Sequence, residues 1–401
     1  MSNKKVKEVR QDNKGRNLRI GESQRKDGRY AYKYIGADGK PKFLYAWKLN
    51  STDKTPKGKR DDLSLREKVK EALKDLDDGI DTQGKKMTVC QLYIRHTSHK
   101  GNVRRGTKKG RQYLLDILKA DPLGAKRIDT VKVSDAKAWV VRMKDKGYSF
   151  KTVNNYKRSL KAVFYSAIQD DFIRKNPFDF QVADVISDDT TPKQPLTQEQ
   201  ETAMLDFLKA DKVYRKYYDE IVILLGTGLR ISEFCGLTEF DINFETRTIN
   251  INHQLLKDSG IGYYTEPPKT DNGKRQLYMS DEVYDALKRV IKNRRKAEPI
   301  VVDGYRNFLF LNKSGYPKVT SNYETMFRGL VKKYNKYHED SLPNITPHIL
   351  RHTFCTRFAN AGMNPKSLQY IMGHANINMT LNYYAHSSYD TAKAEMMRLI
   401  A

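Results

Sequence analysis

From residue 25 to 49 the chain reads RKDGRYAYKYIGADGKPKFLYAWKL, a period-two alternation of aromatic and basic side chains broken at Asp27-Gly28 and Asp38-Gly39. Such dipeptides between alternating segments signal hairpin turns, so three short strands are expected. Tyr30, Tyr32 and Tyr34 fall on one face, with Arg29 and Lys33 partly on the other. The period then changes to 3.6: Leu65, Val69, Leu73 and Leu76 share a face, with Ser64 placed as N-cap and Gly79 as the stop. A helical period persists from Thr88, through KTVNNYKRSLKAVFYSAIQDDFI, to Asn176-Pro177. QVADVISDDTTPKQPLTQEQ lacks apolar periodicity and contains Pro192 and Pro195, which marks a linker over 181–195. Leu196 opens another region, with Thr197 and Gln200 spaced as a capping box. TRTININHQLL, GYYTEPPK and KRQLYMS read as three strands, the second hairpin turning at Asp271-Asn272-Gly273. The fold expected is multidomain α+β. A three-stranded sheet with one helix fills 1–82, an all-α region 83–180, and a mainly α region with a small antiparallel sheet 196–401.

Charge changes the picture. The 401 residues carry 74 Lys and Arg against 48 Asp and Glu, a formal net charge of +26, and 18 basic against 6 acidic residues lie in the first 60. An excess of this size calls for a polyanion, and nucleic acid is the leading candidate. Candidate DNA contacts are Arg29, Lys33 and Lys42 on the sheet, and Arg104, Arg105, Lys108 and Lys109 in a loop NVRRGTKKGR. Asn154, Lys157 and Arg158 at the start of a basic helix complete the set. No apolar run approaches the roughly 20 residues of a membrane span and MSNKKVKEVR lacks an apolar signal core, so a cytoplasmic, nucleoid-associated protein with no membrane partner is expected. Cys90, Cys235 and Cys355 are widely spaced and read as buried packing residues rather than a disulfide framework or zinc site. No P-loop or carboxylate metal cluster appears, and no cofactor or metal is expected.

The candidate chemistry lies in the last 175 or so residues. The apolar helix YYDEIVILLGTGLRISEFCGL breaks at Gly226-Thr227-Gly228, just before Arg230. An arginine among packed apolar neighbours must find an anion or a carboxylate, and Glu233, one turn on, is the internal alternative. Lys269 sits at the mouth of the second hairpin, either solvated or within reach of a scissile phosphate. His348 and Arg351 are spaced i, i+3 on the helix after Pro347 and can address one phosphate. His374 follows the helix break at Gly373, with Tyr383 and Tyr384 further on.

TGLRISE, HILRHTF and MGHANINMTLNYYAH, in that order, resemble the boxes of tyrosine recombinases, and most closely those of integrases from Gram-positive conjugative transposons. The resemblance covers nearly the whole chain and implies a site-specific recombinase that excises and integrates a mobile element. By it, Arg230, Lys269, His348, Arg351 and His374 surround the phosphate and the tyrosine before Ala-His, Tyr384, is the nucleophile; Tyr383 fits a spacing one residue shorter. Tyr384 would form a 3′-phosphotyrosyl bond and free a 5′ hydroxyl, Lys269 would be the general acid, His348 an acid/base contributor, and His374 a phosphate ligand. The sheet would be an arm-type DNA-binding domain, 83–180 a core-binding domain, and the tail SSYDTAKAEMMRLIA, with Ala392, Met396 and Leu399 on one side, a helix either exchanged between protomers or packed in cis. Implied partners are double-stranded DNA at transposon ends and crossover sites, further copies of the chain as dimer to tetramer, and an excisionase or host DNA-bending protein. Competing readings are a type IB topoisomerase, a non-catalytic or accessory DNA-binding protein of the same fold, and a metal-dependent replication initiator, for which a histidine-rich motif is missing.

Overall fold

The computed structural model describes residues 10–36, 40–77, 84–98, 101, 103–192, 194–294, 298–384 and, in the tail, 393, 396, 397 and 400. The Asp38-Gly39 turn, the Gly79 stop, and Ala392 and Leu399 of the tail lie outside the described residues. The chain divides into two compact units, Met1–Thr191 and Pro192–Ala401.

The first unit opens with an antiparallel sheet of β1 (Glu22–Gln24), β2 (Tyr30–Ile35) and β3 (Pro41–Ala46) in that order. Gly28, at φ +86°, closes the first turn, its N–H donating to the Arg25 carbonyl at 3.0 Å. The register pairs Tyr30 with Ala46 and Tyr32 with Leu44, so one face packs on α1 (Leu65–Asp77) through Tyr30, Ala46, Leu49 and Leu65. Ser64 caps α1, its own N–H donating to Glu67 at 2.9 Å. A helical body follows: α2 (Val89–Ser98), α3 (Arg105–Lys119), α4 (Pro122–Ala125), α5 (Val133–Asp145) and α6 (Phe150–Gln169), packed around Trp139, Phe164 and Phe178. The basic stretch expected as a loop is instead largely the first two turns of α3. The linker expected from 181 begins inside the body, because Val182 inserts into its core and Val185 and Ile186 pack against it. Their spacing of three and four residues is helical, and Asp184 between them and the Ser-Asp-Asp that follows mask it.

The second unit begins with α7 (Gln198–Ala210), with Thr197 and Gln200 forming the capping box, then α8 (Tyr218–Thr227) and α9 (Ile231–Gly236). Strands β4 (Ile242–Asn243), β5 (Thr248–Ile251), β6 (Gln254–Asp258), β7 (Gly262–Glu266) and β8 (Arg275–Tyr278) come next. They form two sheets, β4-β5-β8 and β6-β7. TRTININHQLL is therefore two strands, and β7 pairs back on β6 rather than on β8. Asp271–Gly273 is a single 3-10 turn, not a hairpin tip. Pro267 and Pro268 lack the N–H that a continuing ladder needs, so the chain leaves the sheet before Lys269 and re-enters beside β5. Helices α10 (Asp281–Lys292), α11 (Thr320–Tyr337), α12 (Pro347–Asn360), α13 (Pro365–Met372) and α14 (Asn378–Leu381) complete the unit. Its core centres on Phe234, stacked on Phe310 at 3.9 Å and edge-on to Tyr323. Cys235 and Cys355 are buried, as expected, whereas Cys90 is half-buried. Among the described residues no helix is long and apolar enough to cross a membrane, and no group of three or more His, Cys, Asp or Glu could hold a metal ion.

Candidate active site

Two helices end in left-handed glycines, and the site is built on those ends. α8 stops at Gly228 (φ +60°) and α13 at Gly373 (φ +61°). A helix end leaves carbonyls without intrahelical partners and carries partial negative charge, which favours cationic donors. Three arginines read three successive carbonyls at the α13 end: Arg275 Nε donates to Ile371 at 2.6 Å, Arg351 Nη2 to Met372, and Arg230 Nη2 to Gly373 at 2.7 Å. Arg351 also donates Nη1 to the Gly228 carbonyl at 2.7 Å. The arginines at the start of α9, on β8 and on α12 thus converge on one turn.

One carboxylate lies among them. Glu233, 2 % exposed on its side chain, accepts from Arg230 Nη1 at 2.7 Å and from Arg275 Nη2 at 2.9 Å. Burial pushes its carboxyl up, but Arg275 and Arg230 outweigh that and hold it below the usual range, so it is ionised. Burial, with the charge of Arg230 beside it, pushes the Arg351 guanidinium down to about 9, still cationic at neutral pH. Three guanidinium groups against one carboxylate leave an excess of positive charge. Arg275 is fully enclosed, whereas the Arg230 side chain is 30 % exposed and has donors left for an incoming anion.

His374 is buried beside this cluster, its Nδ1 2.9 Å from Thr380 Oγ1. Burial and then Arg351 and Arg230 push its imidazole down to about 4, so the ring is neutral. His348, in the first turn of α12 after the Thr346 cap and Pro347, is exposed. Lys269 is exposed on the segment between β7 and β8. Tyr383 stands between two histidines, 4.9 Å from the His352 ring and 6.5 Å from that of His374. Tyr384 donates its hydroxyl to the Met363 carbonyl at 2.5 Å. Burial raises both phenols. The structure thus brings Arg230, Arg351 and His374 together. It sets Lys269 and His348 on exposed positions and holds the Tyr384 hydroxyl on the α12–α13 connection.

Sequence reasoning missed Arg275, whose signal is an arginine in step with inward-facing Leu277 and Met279. Thr380 was missed too.

Among the expected DNA contacts, Arg105, Lys108 and Lys109 are exposed on α3, Arg104 is its half-buried N-cap, and on α6 Arg158 is exposed and Asn154 half-buried. Lys157 is a correction: it is 5 % exposed and its ammonium donates to the Phe180 carbonyl. Val153, Lys157, Leu160 and Phe164 follow the helical period, which aims Lys157 inward. On the sheet Lys33 pairs with Phe43 and Lys42 with Tyr34 on the opposite face, so these two lysines do not share a surface. Arg29 is paired with Asp27 at 2.7 Å and lies over the Tyr45 and Trp47 rings.

A carbonyl-anchored arginine cluster next to a neutral histidine and two tyrosines suits an enzyme that moves a phosphoryl group between oxygens. The chain belongs to the phage integrase family of tyrosine recombinases. Residues 194–391 match the family described as "Phage integrase family", and residues 6–76 match "DNA binding domain of tn916 integrase". The chain is 63 % identical over 394 residues to the transposase from transposon Tn916 of Enterococcus faecalis, covering 98 % of this chain and 97 % of that one. The transposase from transposon Tn1545 of Streptococcus pneumoniae matches with the same identity and coverage. Solved structures of the Tn1549 transposon integrase superpose with a TM-score of 0.75; the one in complex with transposon right end DNA is 63 % identical and covers 79 % of this chain and 100 % of that one.

Proposed function

We propose that this tyrosine recombinase excises and integrates a conjugative transposon, cutting and rejoining DNA at the transposon ends through a 3′-phosphotyrosine. The convergence of Arg230 and Arg351 on the Gly228 and Gly373 turns, with His374 beside them, carries the reading. In the mechanism Arg230 and Arg351 hold the non-bridging oxygens of the scissile phosphate, and His374 adds a ring nitrogen to them. Tyr384 oxygen forms a bond to phosphorus as the P–O5′ bond breaks. Lys269 gives the departing O5′ its proton, and His348 contributes to proton transfer from the phenol. The phosphotyrosyl bond keeps the energy of the broken one, so rejoining needs only attack by a 5′ hydroxyl. A phenol with a solution pKa of about 10, raised further by burial, must leave the Met363 carbonyl and reach the arginines before it attacks.

Spacing supports Tyr384 as the nucleophile. The Tn1549 integrase structures carry an arginine-to-lysine substitution in a complex with circular intermediate DNA and a tyrosine-to-phenylalanine substitution in the complex with transposon end DNA, 154 positions apart. Arg230 and Tyr384 are separated by the same interval. The complexes of that integrase also support double-stranded DNA as the partner here. Residues 1–82 would bind arm sites and the helical body that follows core sites, with 196–401 as the catalytic region. Assembly of several copies on DNA, an excisionase or bending protein as helper, and action in the cytoplasm at the nucleoid complete the reading.

The test is a nicked suicide DNA carrying a transposon end, incubated with wild type, Tyr384→Phe and Tyr383→Phe and resolved on a denaturing gel. A covalent adduct lost only with Tyr384→Phe is expected. Loss only with Tyr383→Phe moves the nucleophile by one residue, and no adduct from wild type bound to that DNA overturns the reading.

A further inference from the structure

Arg275 has no exposed side-chain surface, and its Nε, Nη1 and Nη2 are all taken by the protein itself, which sets it behind the phosphate-binding groups in this arrangement. Its three hydrogen bonds reach three separate pieces of the site: Nη2 to Glu233 on α9 at 2.9 Å, Nε to the Ile371 carbonyl of α13 at 2.6 Å, and Nη1 to the Gly273 carbonyl at 3.0 Å. Gly273 ends the turn that begins just after Lys269. The same turn touches the cluster elsewhere: Asn272 Nδ2 lies 3.5 Å from the His374 carbonyl, and a Cβ on Gly373 would stand 3.1 Å from the Asn272 carbonyl. On its other side the turn is braced from within, since a Cβ on Gly273 would overlap Pro268. A buried ion pair seldom adds net stability, because two desolvated charges cost about as much as their attraction returns. The Arg275–Glu233 pair is better explained by where it holds things.

We infer that Arg275 is a positioning residue that fixes the Lys269-bearing segment relative to the phosphate-binding arginines, so that the proton donor is registered with the leaving oxygen. This rests on the reading of Lys269 as general acid. Displacing a proton donor by even about 1 Å costs on the order of 10²-fold in rate. The cost falls on departure of the leaving group and not on phosphate binding.

The two effects separate with a suicide DNA in which sulfur replaces the bridging 5′ oxygen. Attack by Tyr384 then breaks a P–S bond, and the sulfur leaves with the electron pair as a thiolate, which needs no donated proton because a thiol titrates at about 8.5. Cleavage rates are compared on oxygen and sulfur DNA for wild type, Arg275→Lys, Lys269→Ala and Arg230→Lys, alongside binding to uncleavable DNA. Arg275→Lys is expected to lose roughly 10²-fold on oxygen DNA and to return within about tenfold of wild type on sulfur DNA, as Lys269→Ala does. Arg230→Lys is expected to stay slow on both. Gly273→Ala, which pushes the same segment against Pro268 without touching a buried charge, is expected to repeat the Arg275→Lys pattern and decides the matter if Arg275→Lys does not fold. Arg275→Lys and Gly273→Ala that stay slow on sulfur DNA while Lys269→Ala is rescued overturn the positioning role alone. Lys269→Ala left slow on sulfur DNA overturns the general-acid reading and the inference with it.

Discussion

Gly373→Ala tests whether the α13 end is a template for the arginines. At φ +61° an L-residue costs roughly 1–2 kcal/mol relative to glycine. The new Cβ would lie 3.0 Å from Arg275 Nη1, 3.1 Å from the Asn272 carbonyl and 3.3 Å from Arg230 Nη1, so each neighbour must retreat by a few tenths of an ångström. Gly304 provides the control, with φ +87° and no atom within 4 Å of its Cβ position. Both variants are expected to lose about 1–2 kcal/mol in urea unfolding, because both place alanine in left-handed backbone. Only Gly373→Ala should slow covalent adduct formation on suicide DNA, by on the order of 10²-fold, because only there does the methyl group displace the guanidinium that meets the phosphate. A Gly373→Ala enzyme that cleaves at the wild-type rate, or a Gly304→Ala enzyme equally slowed, would refute the argument.

Arg230→Lys should bind DNA as wild type does in a filter assay yet form adduct roughly 10²–10³-fold more slowly, since a point charge cannot replace the planar fork; unchanged cleavage would remove Arg230 from the site. The folded His374 titrates at about 4 against 6.5 for the free side chain, so the unfolded chain takes up the proton between these values. Stability should therefore fall as pH drops from about 6.5 to about 4, by at most about 3 kcal/mol from this group, and be independent of it above that window. In urea titrations His374→Gln should flatten that slope, leaving the acid loss from depressed carboxyls such as Glu233 and Asp121, which act in the same direction; equal slopes would contradict the burial argument. Lys157→Met should leave DNA affinity and its salt dependence unchanged, whereas Lys108→Ala or Lys109→Ala should each lower the salt slope by about 1 if that lysine contacts a phosphate. A shallower slope for Lys157→Met would mean that its ammonium leaves the Phe180 carbonyl on DNA.

Periodicity carried much of the fold. The alternation around Tyr30 and Tyr32, the 3.6 period of α1 and α6, and the Thr197 capping box all appear in the structure because local pattern and tertiary packing agree there. The misreadings occurred where they compete. Pairing of β5 with β8 depends on residues 24 or more positions apart in sequence, so no local turn signal announces it, and Asp271-Asn272-Gly273 looked like a hairpin tip because its composition suits any tight turn. Gly106 and Gly110 made the start of α3 look like a loop, although both sit in helix. Lys157 was read by its charge when its register should have decided, and Lys42 by its neighbours when strand alternation turns it away from Lys33. In the site, Arg230, Arg351 and His374 were legible because each follows a glycine break or shares a helix face. The carbonyls that hold them were not, since every residue carries one and only the folded backbone shows which are left over.

Those carbonyls also explain how so much like charge packs into one site. The three guanidinium groups and the Glu233 carboxylate leave two net positive charges, and His374, held neutral by burial, adds none. The ends of α8 and α13 each contribute about half a negative charge, directed at the same arginines through the Gly228, Ile371, Met372 and Gly373 carbonyls. The resting site therefore sits near one positive charge. That is low enough for Arg351 to remain buried and cationic, and high enough that a phosphate diester, with its single negative charge, neutralises it. A pentacoordinate transition state carries more negative charge than the diester, and the exposed donors of Arg230 are the groups placed to meet the difference. The helix ends thus set the balance in which the transition state gains more from the arginines than the ground state does. Gly228 and Gly373 belong to that arrangement because left-handed closure is what turns those carbonyls toward the arginines.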